Sequence, residues 1–349
     1  MSRRLAAALA LGLLTGGCSP VYVVRASLTQ AEILRARQPI HRVLADSAVD
    51  PGIRVKLAWI MDARRFAATE LGFDVGESYT RYTQLERDTL AVVVSAAYRD
   101  RLVPKTWWFP FVGRVPYKGH FSAEDALEEA EELREEGLDT YVRPTSAFST
   151  LGWFDDPVLS TTLDTDDVEV VTTLMHELTH RQIFVPGHVT FNESLATFVG
   201  RVAAIRFFCT RRGGGPDTVK CDRARARWRD VQRFGSYVDR LVVEVQRVYS
   251  SPSLDREGKL ARREEVFGEA LRRFDEDVAP ALESLTFAGF RETPLNNATL
   301  LSRMRYYHRL EDFNALLALY DGDLRRALAD LRARARGTDD PFALLPGGS

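Results

Sequence analysis

The chain has 349 residues, 45% apolar and 28% charged, an ordinary globular composition with length for one large domain or two smaller ones. Its 47 basic and 49 acidic groups leave a formal net charge of -2. That balance excludes a strong single-sign field, so nucleic acid is not expected as a partner.

The chain opens with a basic "MSRR", an apolar "LAAALALGLLTGG" and then Cys18. Thirteen apolar and small residues are too few to span a bilayer, so this reads as a signal peptide rather than a transmembrane helix. The "LTGGC" ending resembles a bacterial lipobox, which implies that residues 1–18 form a lipoprotein signal and that Cys18 carries the lipid. Thr15 in place of leucine leaves plain secretion open. No later apolar run reaches about 18 residues.

Ser27 to Asp46 is helical in pattern, with Thr29 and Glu32 at capping-box spacing. A second helix is expected from about Gly52 to Leu71, stopped at Gly72. "TLAVVVSAAY" (89–98) is rich in β-branched residues and reads as a strand, and "KTWWFPFVGRVPYKGHF" (105–121) as two strands around a glycine turn. "SAEDALEEAEELREEG" (122–137) is a surface helix capped by Ser122, and residues 138–148 return to strand.

From Asp166 the pattern is helical, with Asp166 and Glu169 as a capping pair and Pro186-Gly187 as the stop. Thr190 or Asn192 is the expected cap of the next helix, and long amphipathic helices are expected at roughly 217–250, 255–284 and 299–335. Cys209 and Cys221 bracket "TRRGGGPDTVK" and remain as an even pair once Cys18 is set aside, so in an exported protein a disulfide is expected, with two free thiols as the alternative. The prediction is an α+β fold. It is one mature domain, 19–349, with a small antiparallel or mixed sheet at about 75–165 and a mostly helical part at about 166–335.

Inside "VTTLMHELTHRQIFVPGHVTFNESLATFVG" (171–200), His176 and His180 stand at i and i+4, which on a helix projects both imidazoles from one face. That spacing suits one Zn²⁺, and Glu177 beside the first histidine is placed to act as general base toward water. A third ligand is needed. Glu193, at the start of the following helix, is the stronger candidate because His₂Glu zinc sites leave a position open for water; His188, in the connecting loop, is the rival.

An HExxH helix followed by a glutamate on the next helix resembles the gluzincin class of zinc peptidases. The similarity is closer to one group within it, the predicted aminopeptidase family of bacterial lipoproteins. It extends over "KTWWFPFVGRVPYKGHF", "STLGWFDDPVLST", "HELTH", "FNESLATFVG" and "PLNNATLLSRMRYYHRLEDFNALL", in that order. The resemblance implies a zincin-like fold and a zinc-dependent peptidase of the cell envelope, with one Zn²⁺ on His176, His180 and Glu193, Glu177 as base and a peptide as substrate. A lipid anchor facing the periplasm is implied with it, and Ser19 after Cys18 favours the outer membrane by analogy.

One feature of zinc aminopeptidases is missing, a Gly-x-Met-Glu-Asn segment that grips the substrate amine. Asp155 and Asp156 in "GWFDDP" are candidates for that task, or simply a capped turn before Pro157. Tyr306, Tyr307 and His308 are candidates for stabilising the oxyanion. Helical neighbours diverge by about 100°, so at most two of them face the site, and Tyr307 is the choice. His120, at a strand end, is a candidate substrate contact. The competing readings are a zinc endopeptidase and a non-catalytic, lipid-anchored envelope binding protein.

Overall fold

Pro39 interrupts the first predicted helix. In the computed structural model, which describes residues 32–86, 89–109, 113–145, 156–211 and 213–347, Gln38–Pro39 forms a short strand, β1, and helix α1 (Ile40–Ala45) starts behind it. Proline lacks an amide hydrogen and clashes with the preceding turn, so a helix through it loses a hydrogen bond. The extended pair is used instead for antiparallel pairing with β2 (Arg81–Thr83), which pairs in parallel with β8 (Val158–Leu159). Cys18, Thr29 and Asp155 lie outside the described residues.

Helix α2 (Pro51–Thr69) begins where Asp50 accepts hydrogen bonds from the amides of Gly52 and Ile53. The main sheet has the order β6-β3-β7 and is antiparallel throughout, built from β3 (Ala91–Tyr98), β6 (Lys118–His120) and β7 (Leu138–Thr145). β3 is buried on both faces, which its unbroken run of valine and alanine allows. The Trp- and Gly-containing segment expected to give two strands gives three. β4 (Trp107–Phe109) and β5 (Gly113–Val115) pair as a hairpin, and beyond Pro116 the chain crosses to β3 as β6. Helix α3 (Ala123–Glu135) closes one face of this sheet, packing Ala126, Ala130 and Leu133 on Val94, Ala96 and Trp107.

The helical half starts with α4 (Asp167–Gln182) and α5 (Val189–Thr210). Helix α5 is apolar nearly all round and runs through the centre of the larger core, where Phe191, Phe207 and Phe208 are fully buried. Each such ring contributes about 1.5–3 kcal/mol. Cys209 and Cys221 are joined, with Cα atoms 5.0 Å apart, and tie the end of α5 to the start of α6 (Val219–Ser250). A second apolar cluster lies between α6 and α7 (Arg256–Arg273), which gives way at Phe274 to a single π turn.

The expected continuous helix over 299–335 is three helices, α8 (Asn297–Tyr307), α9 (Leu310–Ala318) and α10 (Leu324–Arg334). The first break has a polar cause: Asp239 on α6 is 2.6 Å from His308 Nδ1 and accepts from the Arg309 amide at 2.9 Å, and Arg309 adopts φ +53°. Asn296 caps α8 and also donates to the Thr140 carbonyl on β7, while Asn297 Nδ2 donates to the Tyr98 carbonyl at the end of β3. The sheet therefore fixes where α8 begins. The architecture is α+β, and among the described residues no helix is long and apolar enough to cross a membrane.

Candidate metal centre

Helix α4 is anchored at both ends. Asp166 caps it by accepting from the amides of Val168 and Glu169. The Glu169 side chain does not complete a capping box; it receives two hydrogen bonds from Arg201 of α5, at 2.8 and 2.9 Å. The apolar stripe of Val168, Val171, Leu174, Met175 and Leu178 is buried, which turns His176 and His180 toward α5. Their rings are 5.0 Å apart, centre to centre.

The return of the chain is set by a turn in which Gly187 adopts φ +83°. Neither Thr190 nor Asn192 caps α5. His188 holds the cap position without a side-chain hydrogen bond, and Asn192, fully in the core, accepts from the Val185 amide and donates to the Val185 carbonyl. Asn192 thus staples the turn and leaves Glu193, next along the first turn of α5, directed at the two imidazoles. Gly200 lets the helices approach closely enough for this. A Cβ there would lie 2.9 Å from the Thr172 carbonyl oxygen and 3.2 Å from His176 Cβ.

Glu193 Oε2 is 3.2 Å from His176 Nε2 and 3.6 Å from His180 Nε2, and the three potential donor atoms lie within 4.8 Å of one another. Ligands held tetrahedrally at zinc's usual bond lengths are separated by about 3.3–3.4 Å, so the set fits one such ion. Among the described residues no other His, Cys, Asp or Glu joins the group, and His188 stands apart from it. Two histidines and a carboxylate with no fourth protein donor is the composition of an open site rather than a closed structural one.

Glu177 faces apolar surroundings and lines a small cavity of about 20 Å³ with Ile60, Val158, Leu159 and Leu174. Burial pushes its carboxyl above the usual carboxylate range; the neighbouring imidazoles offset part of this, and the charges of Glu193 and Asp156 add to it. Asp156 is buried and close enough to Glu177 for its charge to register. For Glu193, burial opposes ionisation, but the two histidines outweigh it and hold the carboxyl well below its ordinary value. His180 is raised: burial works against its charged form, and Glu193 more than compensates.

The tyrosine facing this group is Tyr306, not Tyr307. The Tyr306 ring lies 6.3 Å from that of His176 and its hydroxyl accepts a hydrogen bond from Arg143 Nη2 at 3.2 Å. Tyr307 points the other way, its ring 5.1 Å from Phe234 and edge-on to it, so it is a core residue. The phase of α8 is set by close packing against α6, where a Cβ on Gly235 would come within 2.9 Å of the Tyr307 carbonyl oxygen. Ser194, beside Glu193, fastens the same junction by donating to the Arg305 carbonyl and accepting from the His308 amide.

His120 is likewise placed differently from the expectation of a substrate contact. It is buried against α3 with Nε2 2.7 Å from Glu129 Oε2, and Glu129 also accepts from Lys118 and from the Trp107 indole. A half-buried carboxylate at the sheet–helix boundary needs these donors, and His120 serves that need. Ser194, Gly200 and Arg143 carry no motif of their own, although "NESLATFVG" holds the first two.

A model of the family described as "Putative aminopeptidase" matches residues 21–340. No curated protein and no solved structure matches the chain. With nearly the whole length covered, the chain belongs to the putative aminopeptidase family.

Proposed function

We propose that the protein is a zinc-dependent peptidase that trims peptides from the amino end, held at the bacterial cell envelope by a lipid on Cys18. The observation that carries the reading is the convergence of His176, His180 and Glu193 from two successive helices, with no fourth protein donor among the described residues. A Zn²⁺ bound by these three would supply a Lewis acid that polarises the scissile carbonyl and makes water more acidic.

The remaining steps belong to the chain's own groups. Glu177, desolvated and adjacent to His176, accepts the proton of the attacking water and delivers it to the leaving amine. Its raised carboxyl pKa favours that shuttle, because a base nearer neutrality also makes a competent acid. Tyr306 donates its hydroxyl hydrogen toward the developing oxyanion. Burial and the nearby Glu193 charge keep the phenol protonated, with Arg143 partly opposing them. Asp156 offers a carboxylate near Glu177 for the substrate's free amine, a task for which the family name and the absence of the usual Gly-x-Met-Glu-Asn segment both call.

Substitution Glu177→Gln tests the reading. It should leave metal binding stoichiometric while reducing cleavage of unblocked peptides by at least about a hundredfold. Undiminished cleavage by that variant overturns the assignment of the base, and equal cleavage of free and N-acetylated peptides turns the reading toward an endopeptidase.

A further inference from the structure

Two arginines near the candidate centre have no carboxylate partner among the described residues. Arg305, on α8, is only 3% exposed. Its guanidinium lies over the Tyr117 ring at 4.8 Å, and its Nη1 is buried without a hydrogen-bond partner. Arg143, on β7, is half-buried; its side chain donates one hydrogen bond, to the Tyr306 hydroxyl, and its guanidinium carbon is 5.7 Å from that ring. Arg263, the other arginine buried to this degree among the described residues, is held instead by Asp139 through two hydrogen bonds, at 2.7 and 3.2 Å. A guanidinium as buried as that of Arg305 is costly to leave without a carboxylate, so Arg305, with Arg143 nearby and bonded only to a neutral hydroxyl, points to an anion that arrives with the substrate.

The neighbouring groups favour the same ligand. Tyr117 and Tyr306 both feel the Glu193 charge as well as both arginines, so all four side chains belong to one cluster around the third candidate metal ligand. Two guanidinium forks, with no carboxylate partner among the described residues, match the flat, two-oxygen geometry of a carboxylate.

We propose that Arg143 and Arg305 form a subsite for a carboxylate of the substrate. This rests on the peptidase reading above and narrows it to peptides that present an anion close to the scissile bond. Such a carboxylate has two sources: the free C-terminus of a short peptide, or an acidic side chain next to the cleaved bond. A fixed subsite makes the first source length-dependent, since each added residue carries the C-terminus up to about 3.3–3.6 Å further away.

The test measures kcat/KM of the mature, zinc-loaded protein on alanine peptides of two to six residues, each with a free or an amidated C-terminus, and on amidated peptides bearing Glu after the cleaved bond. The expectation is that amidation of the favoured length lowers kcat/KM about ten- to a hundredfold, through KM, and that Arg305→Gln or Arg143→Gln erases the difference. Recovery by the internal Glu supports the subsite and assigns it to side chains. Calorimetry of dialanine and its amide on the Glu177→Gln protein reads the same preference without turnover, and keeps the proposal testable if an arginine variant fails to fold. Equal affinity for acid and amide, or arginine variants that lower kcat alike on both, overturns the subsite. Failure of wild-type protein to cleave any peptide would count against the peptidase reading instead, with the calorimetric preference still deciding the subsite.

Discussion

Substituting Gly200 with alanine strikes the contact on which the candidate centre depends. The added methyl would sit 2.9 Å from the Thr172 carbonyl oxygen and 3.2 Å from both His176 Cβ and its amide nitrogen. All three neighbours belong to α4 and none is the end of a flexible side chain, so α4 and α5 must separate by roughly half an ångström to restore ordinary contact. Overpacking of this kind costs about 1–3 kcal/mol, against a gain of about 1 kcal/mol for replacing a helical glycine with alanine. A net loss of about 1 kcal/mol is expected, together with a metal dissociation constant raised about tenfold because His176 moves away from Glu193. Gly268 provides the control, since it too is helical but has nothing within 4 Å of its virtual Cβ. There alanine should stabilise by up to about 1 kcal/mol and leave metal affinity unchanged. Thermal unfolding and chelator-competition titration of the two variants supply the assay. A Gly200→Ala protein as stable as Gly268→Ala, with unchanged metal affinity, refutes the claim that this contact sets the ligand geometry.

Tyr306→Phe should lower kcat by about 10²–10³-fold with little change in stability, whereas Tyr307→Phe should affect unfolding more than turnover; the reverse pattern would restore Tyr307 to the site. Burial alone would raise the Glu129 carboxyl, but hydrogen bonds from His120 and Lys118 bring it from its usual 4.5 down to about 2. Its contribution is therefore present above pH 4.5 and lost as the pH falls toward 2, and Glu129→Gln should flatten that part of an acid-unfolding profile. The Cys209–Cys221 bridge closes a loop with a separation of 12 residues, so the double serine variant should lose about 3 kcal/mol in denaturant unfolding; no loss would show that the loop is ordered without it.

What the sequence displayed was local. The HExxH spacing, the Asp166 and Ser122 caps and the strand at 91–98 each depend on residues within one turn or one strand, and so could be seen in the order of the letters. Glu193 was within reach because the turn before it is short. Features decided by contacts across long separations were not visible. The choice between Tyr306 and Tyr307 follows from how Gly235 admits the end of α8. The break of the last long helix depends on Asp239, some seventy residues upstream of Arg309. Arg143 and Arg305 give no signal in sequence because their meaning lies in the missing partner rather than in spacing. The parallel pairing of β2 with β8 is of the same long-range kind.

Metal content decides the central claim most directly. Purified mature protein should retain one zinc per chain after exhaustive dialysis, and His180→Ala or Glu193→Ala should lose it while keeping the wild-type circular dichroism spectrum. A folded wild-type protein that takes up no divalent metal, or variants lacking two of His176, His180 and Glu193 that still bind it tightly, would contradict the account.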